Sequence, residues 1–133
     1  MKNQLLFSLS LVIISSAAFS QSLRENLDYV NEQFGKYNSH DIVFNIDTDY
    51  KALVIFDNYG TTVCYFEDVE FDLSEESKNI IEIRCIDDEE CFDQKKNEED
   101  FTLEKWTAEL DGGNLNKILA KLNEIKKIVL EED

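Results

Sequence analysis

Apolar residues along this chain keep two rhythms, a step of three and four residues near the ends and a step of two between them. From Asn114 to Leu130, the positions Leu115, Ile118, Leu119, Leu122, Ile125 and Val129 form a stripe opposite Lys117, Glu124 and Lys127, which predicts a helix with one buried face. Near the start, Leu23, Leu27, Val30 and Phe34 step by four, three and four and predict a second amphipathic helix of about three turns. Ser22-Leu23-Arg24-Glu25 ahead of that run fits a capping box, and Gly35 stands where the helix would stop.

Between the helices the period drops to two. Ile42, Phe44 and Ile46 share one face of a strand and Val43, Asn45 and Asp47 the other. Asp47-Thr48-Asp49-Tyr50 is turn chemistry, after which Leu53 and Ile55 resume the alternation. Asp57-Asn58-Tyr59-Gly60 makes a second turn, with glycine at the position most tolerant of positive φ. A third strand places Val63 and Tyr65 opposite Cys64 and Phe66, so the three make an antiparallel meander.

After a bend at Glu67-Asp68, Val69, Phe71 and Leu73 predict a short fourth strand, and Ser74 to Lys78 a charged loop. Asn79 to Ile86 is a further strand with Ile81, Ile83 and Cys85 inward and Glu82 and Arg84 outward. Asp87-Asp88-Glu89-Glu90 reads as a hairpin tip returning at Cys91-Phe92. Phe101 to Leu110 fits both rhythms and is read as a last strand with an irregularity near Lys105. Gly112-Gly113 lets the chain turn into the final helix. The expected fold class is α+β: an N-terminal helix, a six- to seven-stranded antiparallel sheet or partly open barrel, and a C-terminal amphipathic helix packed on it.

That order of elements, with the bend Phe66-Glu67-Asp68-Val69-Glu70 after a meander and an amphipathic helix at the end, resembles the pleckstrin-homology-like barrel. The resemblance is one of arrangement and covers most of residues 41–130. It implies a barrel with one open end plugged by the last helix. Phosphoinositide-binding members of that superfamily carry a basic patch between their first strands. Here the same region holds Asp47, Asp49 and Asp57 with only Lys51, so lipid binding is not implied.

The first 20 residues have the zones of an export signal: Lys2, the apolar run Leu5 to Ile14, and the small-x-small motif Ala18-Phe19-Ser20 before Gln21. The run falls short of the roughly 20 apolar residues of a membrane span. Residues 21–133 are then one exported domain, periplasmic or secreted, large enough to bury a core. The whole chain has 13 Lys and Arg against 29 Asp and Glu, a net charge of −16, and losing Lys2 with the signal makes it −17. A field of that sign repels phosphate backbones and anionic lipid, which argues against nucleic acid and membrane surfaces as partners.

Three cysteines in an exported chain raise the question of pairing. Cys85 and Cys91 flank the predicted hairpin tip and are the candidate disulfide; a bond from Cys64 to either, or three free thiols, stays open. One histidine and no second cysteine pair argue against a metal site. The acids Asp87 to Glu90 lack the spacing of a calcium loop, and a template started at Asp47 meets Lys51, Ala52 and Leu53 where ligands or glycine belong. The eight acids and two lysines between Asp87 and Asp100 predict a mobile, solvated edge that discourages strand-to-strand aggregation.

No catalytic set emerges. His40 lies in a polar link with Ser39, and the Gly112-Gly113 pair lacks the Lys-Ser or Lys-Thr of a phosphate loop. Tyr50, Tyr59 and Trp106 are the candidate interface aromatics, with Trp106 more readily a core residue. The reading that remains is a small acidic non-catalytic domain without cofactor, binding another protein or serving as a soluble envelope component. The alternative is a carrier of a small apolar ligand in a cavity lined by Phe44, Ile55, Ile83 and Leu122.

Overall fold

The computed structural model describes the backbone from Lys2 to Glu132 and side chains from Ser20 onward. The predicted export signal, residues 1–20, lies outside the described side chains except for Ser20. Helix α1 spans Lys2–Tyr37, so Ser22 stands inside a helix and is not its N-cap. A capping box needs a helix that starts at the serine, and here none does. The helix also runs two residues past Gly35 before Asn38 ends it.

Eight strands follow, β1 Val43–Asp47, β2 Ala52–Phe56, β3 Gly60–Tyr65, β4 Val69–Leu73, β5 Ile80–Cys85, β6 Phe92–Lys96, β7 Glu99–Leu103 and β8 Lys105–Glu109. A single 3-10 turn, Phe66–Asp68, makes the bend before β4, and α2 spans Leu115–Glu131. Every pairing is antiparallel, in two sheets ordered β1-β2-β3-β6-β7 and β4-β5-β8. The class is α+β with partly open sheets, and the strand count is one more than the upper expectation.

The extra strand comes from the ambiguous stretch. Phe101 to Leu110 is two strands: β7 pairs with β6 in the larger sheet and β8 with β5 in the smaller, and the chain changes sheet at Glu104. The expected irregularity near Lys105 is that crossing. A second correction concerns Asp87 to Glu90, which do not tip a hairpin. β5 pairs with β4 and β8 while β6 pairs with β3 and β7, so this loop also crosses between sheets.

The turns follow from side-chain chemistry. Asp47 Oδ1 accepts the amides of Asp49 and Tyr50, and Asp57 Oδ1 those of Tyr59 and Gly60. Gly60 is needed for space: a Cβ there would lie 1.8 Å from the Lys95 carbonyl oxygen across the β3–β6 pair. Positive φ is instead used at Gly113, and at Asn97 and Glu98, the two-residue link between β6 and β7.

The core gathers the inward faces of both sheets and both helices. Val30 and Phe34 of α1, and Ile118, Leu122, Ile125 and Val129 of α2, are fully buried. The phase read from the sequence is the buried phase, although α2 lies against α1 as well as against β4 and the 3-10 turn. Phe44 stacks edge-on to Phe34 at 4.8 Å and to Trp106 at 5.6 Å between ring centroids, which ties α1 to one strand of each sheet. Among the described residues no helix is long and apolar enough to cross a membrane.

Candidate functional site

A half-open cleft of about 540 Å³ lies where β8 passes the α1–β1 link. The link enters it with Ser39 and His40, the β2–β3 turn with Asp57 and Tyr59, and β6 with Gln94 and Lys96. These residues come from remote parts of the chain and meet because the chain changes sheet twice.

Backbone pairing fixes that geometry. Asn58 donates its amide to the His40 carbonyl at 3.1 Å, and Asn38 Nδ2 donates to the Glu109 carbonyl at 2.9 Å. Asp111 N–H donates to the Tyr37 carbonyl at 2.9 Å, and the Tyr37 ring fills the space that side chains at Gly112 and Gly113 would occupy. Trp106 and Ala108 are the inward residues of β8 and form part of the floor with Ile42 and Leu103. Gln94 is only 8% exposed; its Nε2 donates to Thr62 Oγ1 at 2.9 Å, and its oxygen accepts from no protein group among the described residues. Lys96 Nζ stands 5.7 Å from the centre of the Tyr59 ring.

Of the candidate aromatics, Tyr59 reaches the cleft rim and Trp106 its floor, while Tyr50 lies in the β1–β2 turn at the far end of the hairpin. His40 is exposed on the rim. Its neighbour Asp57 spends one carboxylate oxygen on two turn amides, which serves the turn before it serves the imidazole. Gln94, Lys96 and Lys105 were not singled out from sequence. No local signal marks them, because their common feature is the pairing partner of the strand each sits on.

Cys85 and Cys91 stand at disulfide distance, with sulfurs 2.03 Å and Cα atoms 5.7 Å apart. The pair joins the end of β5 to the start of β6 and so pins one sheet to the other. Cys64 is the remaining cysteine and is buried, paired across from Leu53. Burial pushes its thiol up to about 12, and the charge of Asp68 adds to the effect.

On the outer face of the smaller sheet, Glu82 was expected to point outward into solvent. It does lie on that face, but its side chain is only 9% exposed, between Arg84 at 3.4 Å and Lys105 at 3.5 Å. Arg84 also bonds Glu70 at 2.6 Å, and that hydrogen bond holds its guanidinium above the ordinary value. The acids Asp87 to Glu90 are exposed, and among the described residues no three His, Cys, Asp or Glu side chains are grouped to hold a metal ion. The β7 edge is likewise exposed and acidic at Glu99 and Asp100.

No protein-family model, curated protein or solved structure matches this chain. The positions proposed to line an apolar cavity, Phe44, Ile55, Ile83 and Leu122, are all buried within the continuous core cluster.

Proposed function

We propose that this protein is a small exported, non-catalytic interaction domain whose partner docks at the surface cleft beside β8. The observation that carries the reading is the division of the molecule into a filled core and an open cleft with mixed lining. Phe44, Ile55, Ile83 and Leu122 are buried in one continuous core cluster, which supports binding at the surface over binding in a cavity beneath α2. In the cleft an indole, two lysines, one histidine and several acids face the same space, which suits the mixed apolar and polar contacts of a protein partner. Export is supported by the signal-like zones of residues 1–20 and by a cysteine pair at bonding distance, since such bonds persist in oxidising compartments.

The test is photo-crosslinking from Ser39, an exposed position on the cleft rim, in cells that produce the full chain. An adduct with one envelope or extracellular protein, absent when the probe is moved to Asn45 on the far face of the larger sheet, is expected. Adducts equal from both positions, or none, would overturn the reading. Native mass spectrometry showing a stoichiometric apolar small molecule would favour the carrier, and turnover lost in His40→Ala a hydrolase.

A further inference from the structure

β8 is the last strand of its sheet, and its register decides which of its backbone groups are spoken for. Cys85 N–H donates to the Glu104 carbonyl and Leu110 N–H to the Asn79 carbonyl, each at 2.9 Å, at the two ends of the β5–β8 ladder. Antiparallel pairs alternate, so Glu104, Trp106, Ala108 and Leu110 turn their backbone groups to β5. Lys105, Thr107 and Glu109 turn theirs the other way. The Glu109 carbonyl is taken by Asn38 Nδ2. The N–H and C=O of Lys105 and Thr107 have no protein partner among the described residues.

Those groups face the cleft. All five residues from Lys105 to Glu109 line it without a gap. A strand seen face-on contributes every second residue, so a continuous run means that the cleft follows the strand's edge.

The other sheet edges are covered in part or carry exposed acids. Asn31 bonds both the N–H and the C=O of Phe44 on β1, at 2.7 and 2.9 Å. Lys126 Nζ donates to the Val69 carbonyl on β4 at 2.6 Å, and β7 carries Glu99 and Asp100. The β8 edge is left open beside a space of pocket size, with Gln94 in its lining.

We propose, resting on the interaction-domain reading above, that an extended segment of the partner protein pairs with the free edge of β8 as a fourth strand of the smaller sheet. Main-chain bonds to Lys105 and Thr107 hold the segment. Its inward side chains meet Trp106 and Leu103 and are apolar apart from one donor, whose hydrogen the Gln94 oxygen accepts. Glu109 and Asp111 at one end of the edge select a basic residue there.

A random linear peptide library is selected on the full chain, and the enriched peptide, made synthetically, serves as the probe. Amide exchange at Lys105 and Thr107 is expected to slow by about tenfold or more when it binds, as new backbone bonds require. Methylating peptide nitrogens one at a time is expected to weaken binding at every second position, by roughly fivefold to tenfold for each blocked bond. Failure to enrich a peptide, tolerance of methylation at all positions, or unchanged exchange at Lys105 and Thr107 would overturn strand addition. A specific Ser39 adduct alongside any of those results leaves the interaction domain standing and removes only this mode of docking.

Discussion

Gly60 shows how one atom can decide a sheet. A methyl group at this position would sit inside the van der Waals radius of the Lys95 carbonyl, which is backbone and cannot rotate away. Gly60→Ala is therefore expected to destabilise by about 2 kcal/mol or more, the scale of overpacking in a tight site, read as a lower midpoint in denaturant titration. An unchanged midpoint would mean that β3 and β6 are not in this register. Cys64 makes a different kind of demand. Its thiol ionises near 8.5 in an unfolded chain and is pushed to about 12 by burial, so folding retains a proton that the unfolded state gives up. The contribution is complete below about pH 8.5 and is lost as pH climbs toward 12. The stability advantage of wild type over Cys64→Ala should accordingly shrink between pH 8 and pH 11, and a constant gap would show that the thiol is not buried.

At the scale of elements, two contacts hold the helices in place. Asn31 of α1 satisfies both backbone groups of Phe44, and Asn31→Ala should cost about 1–3 kcal/mol by leaving them unpaired beneath a helix. Chemical denaturation reads that loss directly, while Asn31→Asp, which keeps an acceptor for the Phe44 amide, should recover part of it. Leu122 of α2 is fully buried, and its truncation to alanine should cost about 2–5 kcal/mol.

Much of this architecture was legible in the sequence because it rests on local periodicity. The stripe of α2, the β1–β3 meander, the bend at Phe66–Asp68 and the inward face of β5 all announce themselves within about ten residues of chain. What stayed hidden depends on distant partners. No local pattern says that the residues after Cys85 leave one sheet for the other, or that Glu104 does so again. Alternation in Phe101 to Leu110 slips by one residue at Glu104-Lys105 and then resumes, which is why one irregular strand and two strands in different sheets look alike. The cleft inherits the same blindness, since Gln94, Lys96 and Lys105 meet only through those crossings.

Over the whole molecule, the two sheets are bound together on one side by helices and by the Cys85–Cys91 pair, whose short loop closure contributes roughly 2 kcal/mol in the chain-entropy model. They part on the other side, along β8, where Lys105 and Thr107 hold out backbone groups that the fold itself does not use. A net charge of −16 keeps copies of the chain apart, so an open edge can be presented with less hazard of self-pairing. The most direct measurement is residue-resolved amide hydrogen exchange of the free protein across β8. Slow exchange at Trp106, Ala108 and Leu110 alternating with fast exchange at Lys105 and Thr107 is the expected result. Uniform protection along the strand, or none, would contradict the edge on which the account depends.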